Sequence, residues 1–184
     1  MAWICSAPRP GFSPPFTRAR RRHDFREDGA EKMYRCRPIL IHPDPVLRET
    51  SAPVPAVTDE TRAVLDDMLE TMYGASGRGL AGVQIGVLQR LVVIDLAWKE
   101  GDKDPRFFVN PEMVWSSDTL FSREERCLSI PNVPKEVLRP DRVRVQFLDR
   151  DGAAQEMEAD GVLAMVIQHE IDHLNGVLIL DRAQ

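Results

Sequence analysis

Near the C-terminal end of this chain, Gln168-His169-Glu170-Ile171-Asp172-His173 carries two imidazoles four residues apart, with a carboxylate beside the first. On a helix, His169 and His173 project from one face, where two ring nitrogens can grip one metal ion. Glu170 then lies next to the ligands without being one of them. A carboxylate so placed can take a proton from a water whose pKa the cation has lowered, so the expected chemistry is hydrolysis. Such a pattern also arises by chance on amphipathic helices, and a third ligand must come from elsewhere. Cys127, within Glu124-Glu125-Arg126-Cys127-Leu128-Ser129, is the candidate. A free thiol is most often a small buried hydrophobe. A thiolate with two imidazoles, however, makes a tetrahedral site with one open position, the layout of catalytic centres. Cys36 competes in principle, but nothing around it resembles a ligand turn.

These residues need elements to position them. Asp160 is placed to cap a helix that runs through Val162, Met165, Val166, His169 and His173 on one side and ends at Asn175-Gly176. An earlier helix starts after Thr58, has Asp59 and Glu60 in its first turn, and repeats Val64, Leu65, Met68 and Met72 on one face as far as Gly74. That stripe reads as core. Leu91-Ile94, Phe107-Val109 and Met113-Trp115 read as strands. Val143, Val145 and Phe147 alternate with more polar neighbours, and Arg150-Asp151-Gly152 turns the chain into a partner strand near Gln155–Glu158. Gly77-Arg78-Gly79-Leu80-Ala81-Gly82-Val83-Gln84-Ile85-Gly86 reads as a bulged strand with a buried glutamine, because its glycines match neither a phosphate loop nor a dinucleotide fingerprint. His42, in Ile41-His42-Pro43-Asp44-Pro45, reads as a turn residue rather than a ligand. The expected architecture is α+β: mostly antiparallel sheets around a central C-terminal metal-binding helix.

Length and composition fit one domain with a substantial core. A net charge of -5 argues against nucleic acid as a direct partner, and no apolar run is long enough for a membrane span. Three scattered cysteines make no disulfide framework, so a reducing compartment, the cytoplasm, is expected. Residues 1–32 differ from the rest: they are rich in Pro and Arg, and Met1 to His23 has no acid. They read as a disordered extension or a targeting segment, the latter implying an organelle; alternatively, translation starts at Met33. Residues 33–184 form the expected catalytic domain.

Together, Gly77-Arg78-Gly79-Leu80-Ala81-Gly82-Val83-Gln84, Glu125-Arg126-Cys127-Leu128-Ser129 and Gln168-His169-Glu170-Ile171-Asp172-His173 resemble, in order, three motifs of the peptide deformylase family. The resemblance runs from about Arg37 to Asp181 and includes the opening Ile39-Leu40-Ile41-His42-Pro43-Asp44-Pro45. It implies a hydrolase that removes the formyl group from the N-terminal methionine of new polypeptides. Cys127, His169 and His173 would hold one divalent metal ion, Fe2+ by expectation, with Zn2+ or Ni2+ able to substitute. Glu170 would move the proton, while the Gln84 amide and the Leu128 backbone N–H would stabilise the formyl oxygen. Asp172 would sit behind the ligands or serve as a structural carboxylate. The N-formyl-methionyl peptide would lie along Gly79 and the segment Glu125-Arg126 as an added strand. Val162, Met165 and Val166 would wall the methionine side chain, or be ordinary core.

The chain departs from the family pattern at Arg126, where glycine is usual, at Gly82, where alanine is usual, and at Arg78, where an aliphatic residue is usual. Two extra cations beside the groove would either obstruct a peptide or favour an acidic one. The chain stops soon after Leu178-Ile179-Leu180, so a ribosome-binding tail has no support. Two further readings stand beside deformylation. One is a zincin-type metallopeptidase, which would give Cys127 and Gln84 no role. The other is a relative with altered substrate or no turnover.

Overall fold

The computed structural model describes residues 35–182, so the predicted extension at 1–32 and the alternative start at Met33 lie outside the described residues. Helix α1 spans Asp59–Gly74 behind the predicted cap: Thr58 and Thr61 form a reciprocal capping box, and Asp59 and Glu60 occupy the first turn. Both arrangements satisfy or favour the unpaired N–H groups at a helix start. Leu65, Met68 and Met72 are completely buried, as the stripe predicts, whereas Val64 is half-buried.

Seven strands follow: β1 (Gly79–Ala81), β2 (Leu91–Ile94), β3 (Arg106–Ser116), β4 (Leu120–Cys127), β5 (Ile130–Pro140), β6 (Arg142–Leu148) and β7 (Ala154–Asp160). A five-stranded antiparallel sheet has the order β1-β2-β3-β6-β7, and β4 and β5 form a separate two-stranded ribbon. The central helix α2 covers Gly161–Leu174, and a last turn of helix, α3, covers Ile179–Arg182.

The main sheet is packed on both faces, which explains its uninterrupted apolar strand β2. Val92 and Ile94 point to one side, with Phe108, Val143, Val145 and the helix α2 residues Ala164, Ile167 and Ile171. Leu91 and Val93 point to the other, with α1 residues Leu65, Met68 and Met72. Residues Val166 to Leu174 of α2 are buried without interruption, including Gln168, His169, Glu170, Asp172 and His173. A helix cannot bury five such groups without partners for them, so the polar residues of α2 mark the functional centre.

Three local expectations are corrected. The glycine-rich stretch is not one bulged strand: β1 is three residues long and gives way to a 3-10 helix at Gly82–Ile85. The reason is a side-chain bond, because Gln84 Oε1 accepts from the Ala81 N–H at 2.9 Å and folds the segment back on itself. Phe107-Val109 and Met113-Trp115 belong to one strand, β3, whose register slips around Asn110 at φ 53°. The ribbon was not legible as strands: β4 contains the charged run Arg123-Glu124-Glu125-Arg126, and β5 contains Pro131, Pro134 and Pro140. Asp160 occupies the N-cap of α2, but its side chain makes no capping bond.

Candidate metal centre

Cys127 is the last residue of β4, and Leu128-Ser129 is a two-residue turn into β5, so the thiol stands at the tip of the ribbon. There it meets α2. The ligand atoms of Cys127, His169 and His173 all lie within 4.8 Å of one another, and all three residues are buried. Cys127 Sγ is 3.2 Å from His173 Nε2, and the two imidazole rings are 4.9 Å apart at 76°. Cys36 is not among these residues; its sulfur lies 3.7 Å from the Glu70 carbonyl of α1. His42 is an exposed turn residue.

The donor set fits a divalent cation of the zinc or iron type: two imidazoles and a thiol can supply three corners of a tetrahedron. Electrostatics agree. Burial works against charge on His169, yet its hydrogen bonds with Cys127 and Glu125, with the charge of Glu170, raise its pKa to about 10. The pocket therefore attracts positive charge at that ring. Burial, reinforced by His169 and Arg139, holds His173 well below the usual imidazole range, so it is neutral and keeps a lone pair for a ligand bond. Two further buried atoms, His173 Nδ1 and Glu170 Oε2, have no hydrogen-bond partner.

Behind the rings lies a buried ion network. Glu125 Oε2 accepts from His169 Nδ1 at 2.8 Å, while Arg139 grips the same carboxylate through Nε at 2.5 Å and Nη2 at 3.0 Å. Burial raises the pKa of Glu125, but His169 and Arg139 more than offset it and hold the carboxyl below its usual range. An ionised carboxylate only accepts, so Nδ1 of His169 carries a proton toward Glu125 and Nε2 is the ring atom left for the centre, where a bound cation would take the place of its proton. Arg139 also donates to Asp172 Oδ2 at 2.8 Å, and Arg182 reaches Asp172 at 2.7 Å. Arg139 escaped the sequence reading. Its one signal is a charge two residues after Val137, on the inward face of β5, and that signal appears only once the ribbon register is known.

Glu170 is 4 % exposed and lies against the backbone of β1. A Cβ at Gly79 would collide with Glu170 Oε1 and would come within 2.9 Å of Val166 Cγ1, so only glycine permits this approach. Burial pushes the Glu170 carboxyl up to about 7, with Glu125 adding to the effect and His169 and Arg139 opposing it. Gln84 Nε2 points toward the centre, 3.1 Å from Ser129 Oγ and 3.8 Å from Cys127 Sγ. The bond from Ala81 N–H decides this orientation, since that donor requires the oxygen end of the amide.

The remaining candidates are more scattered. The Glu125 side chain is turned inward and is 2 % exposed. Arg126 is the opposite: 77 % of its side chain is exposed, and it pairs with Glu124 at 2.9 Å. Arg78 pairs with Glu100 at 3.1 Å on the surface. Leu128 is half-buried and lies beside Gly77, where a Cβ would come within 2.8 Å of it. Val162, Met165 and Val166 pack on the core between α2 and the sheet. Of these three, Met165 also lines a cavity of ≈ 240 Å³ between α2 and the ribbon.

Comparison with known proteins accounts for this arrangement. The family model described as polypeptide deformylase matches residues 36–184. A peptide deformylase of Methylocella silvestris is 55% identical over 148 residues, covering 79% of this chain and 76% of its own. That of Brucella suis is 54% identical over 146 residues, covering 79% and 83%. Among solved structures, a peptide deformylase of Synechococcus elongatus in complex with actinonin superposes with a TM-score of 0.77 at 42% identity, covering 79% of each chain. That of Thermotoga maritima gives 0.75 at 39% identity, covering 83% and 98%. With matches of this extent spanning both the ribbon tip and the buried helix, the chain belongs to the polypeptide deformylase family.

Proposed function

We propose that this chain hydrolyses the formyl group from the N-terminal methionine of newly made polypeptides, releasing formate and a free amine. The observation that carries the reading is the convergence of Cys127, His169 and His173 beside Glu170, whose Oε2 is buried and unpartnered. The three ligands would hold one divalent ion, Fe2+ in the cell, with Zn2+ or Ni2+ able to replace it. When bound, the ion supplies Lewis acidity and lowers the pKa of water toward neutrality. Glu170 accepts the proton of the attacking water and returns it to the departing amine as the C–N bond breaks. Charge gathers meanwhile on the formyl oxygen, where the Gln84 Nε2–H and the Leu128 backbone N–H donate to it.

The peptide would lie in the groove between two unpaired strand edges, that of β1 at Gly79 and that of β4 at Glu125-Arg126. Adding a strand there satisfies its backbone groups and those of both edges. Met165, with Val162 and Val166 behind it, would border the methionine side chain. No helix among the described residues is long and apolar enough to cross a membrane, and the reaction belongs in the compartment where formylated chains are made, the cytoplasm. The zincin alternative is not favoured, because it leaves Cys127 and Gln84 without work.

The test is formyl-Met-Ala incubated with Fe2+- or Ni2+-loaded protein under anaerobic conditions, with formate and new amine both measured. Equal yields are expected, and Glu170→Ala should lower the rate by about a hundredfold or more. Cleavage of internal peptide bonds, or binding with neither product, would overturn the reading.

A further inference from the structure

We propose that Arg123 makes this enzyme prefer substrates with an acidic side chain at the third residue, two beyond the formylated methionine. The inference rests on the deformylation reading and deepens it. β4 runs from Leu120 to Cys127, so its chain direction points at the metal centre. A peptide whose formyl end sits at that centre and whose remainder leaves along the free edge of β4 must therefore run antiparallel to it. Side chains alternate along such a strand, and two residues advance about 7 Å. If the first residue lies beside Glu125, the third lies beside Arg123, on the same face of the ribbon.

That face carries the unusual chemistry. Phe121, Arg123 and Glu125 of β4, with Val137 and Arg139 of β5 and Met165 of α2, wall the ≈ 240 Å³ cavity between ribbon and helix. Three cations and three acids border it, and most of them are committed elsewhere. Glu125 and Arg139 hold each other, with His169 and Asp172. Asp141 accepts from Ser117 at 2.7 Å and lies 3.9 Å from Arg142. Asp160 stands at the N-cap of α2, where the positive end of the helix offsets its charge. Arg123 is half-buried and, among the described residues, has no ion pair; its guanidinium lies 4.6 Å from the Phe121 ring centre. Stacking on an aromatic face holds a guanidinium still while leaving its donors free for a bidentate carboxylate. Arg78 and Arg126, by contrast, each already have a carboxylate partner.

The experiment compares kcat/KM for formyl-Met-Ala-Glu, formyl-Met-Ala-Ala, formyl-Met-Ala-Lys and the register control formyl-Met-Glu-Ala, using metal-loaded full-length protein. The first should exceed the second by about fivefold, the value of a roughly 1 kcal/mol ion pair at a half-exposed site, and the third should be the slowest. The advantage should shrink at high salt. Arg123→Gln should bring the Glu-to-Ala ratio near one, and Arg123→Glu should reverse the order of Glu and Lys. Equal rates for all peptides in the unmodified protein, or a preference that follows the second residue instead, would overturn the role of Arg123 while leaving deformylation standing. Formate from none of them would overturn deformylation, and this inference with it.

Discussion

At the scale of single residues, the centre depends on side chains that hold the ligands from behind. Glu125 orients His169 and is itself held by Arg139, so the ring nitrogen that faces the centre is chosen one bond further out. Such partners tune ligand basicity, and their loss costs metal affinity. Glu125→Gln should therefore weaken metal binding by about ten- to a hundredfold in a competitive chelator titration, with the fold retained by circular dichroism. Unchanged affinity would remove Glu125 from any orienting role. Gly79→Ala is a second residue-scale test. Its methyl would meet the Glu170 carboxylate, so kcat should fall sharply while metal content stays the same. The metal-ligand candidates were legible because their spacing is chemical: two imidazoles four apart, one thiol near a turn. The orienting role of the Glu125 side chain was not legible, because nothing in a linear sequence reveals which way a strand residue faces until its register is known.

At the scale of elements, legibility followed periodicity. α1 announces itself through its cap, both helices through a repeated apolar face, and both end where the glycine signals place them, α2 with Gly176 at φ 71°. β6 alternates over most of its length and pairs with β7 in unbroken register. The β4–β5 ribbon does not. Its outer face is exposed, with Leu120 at 52% and Leu138 at 39% exposure, and its inner face carries Glu125 and Arg139, so hydrophobicity does not alternate with position. The same contrast predicts where truncation will hurt stability. Met68 is wholly buried between α1 and the β2 face of the sheet, so Met68→Ala should cost about 2–5 kcal/mol in a urea titration with little change in slope. A cost below 1 kcal/mol would mean that α1 packs more loosely against the sheet than its burial implies.

At the scale of the whole molecule, the ribbon is a two-stranded sheet of its own, hydrogen-bonded to no strand of the main sheet. Besides single hydrogen bonds at the Ser129 turn and at Pro140, two clusters tie it to the body. One is a small apolar cluster of Leu47, Cys127, Ile130, Leu178 and Ile179. The other is the polar link of Glu125 and Arg139 to His169 and Asp172. A cation shared by Cys127 on the ribbon and two histidines on α2 would add a further link at the ribbon tip, so metal binding should report on how the two parts are joined. A ligand that binds only the folded chain stabilises it by about 2.7 kcal/mol at a hundredfold excess over Kd. For a domain of this size that corresponds to about 5–10 °C in Tm. Removing the metal with a chelator should lower Tm by that amount, and hydrogen exchange should rise first in residues 120–140, not in α1 or β2. A fall in Tm with exchange rising evenly across the chain would show that the cation stabilises the fold as a whole. No fall at all would show that the ribbon is held by its contacts with the rest of the protein, leaving the cation to chemistry.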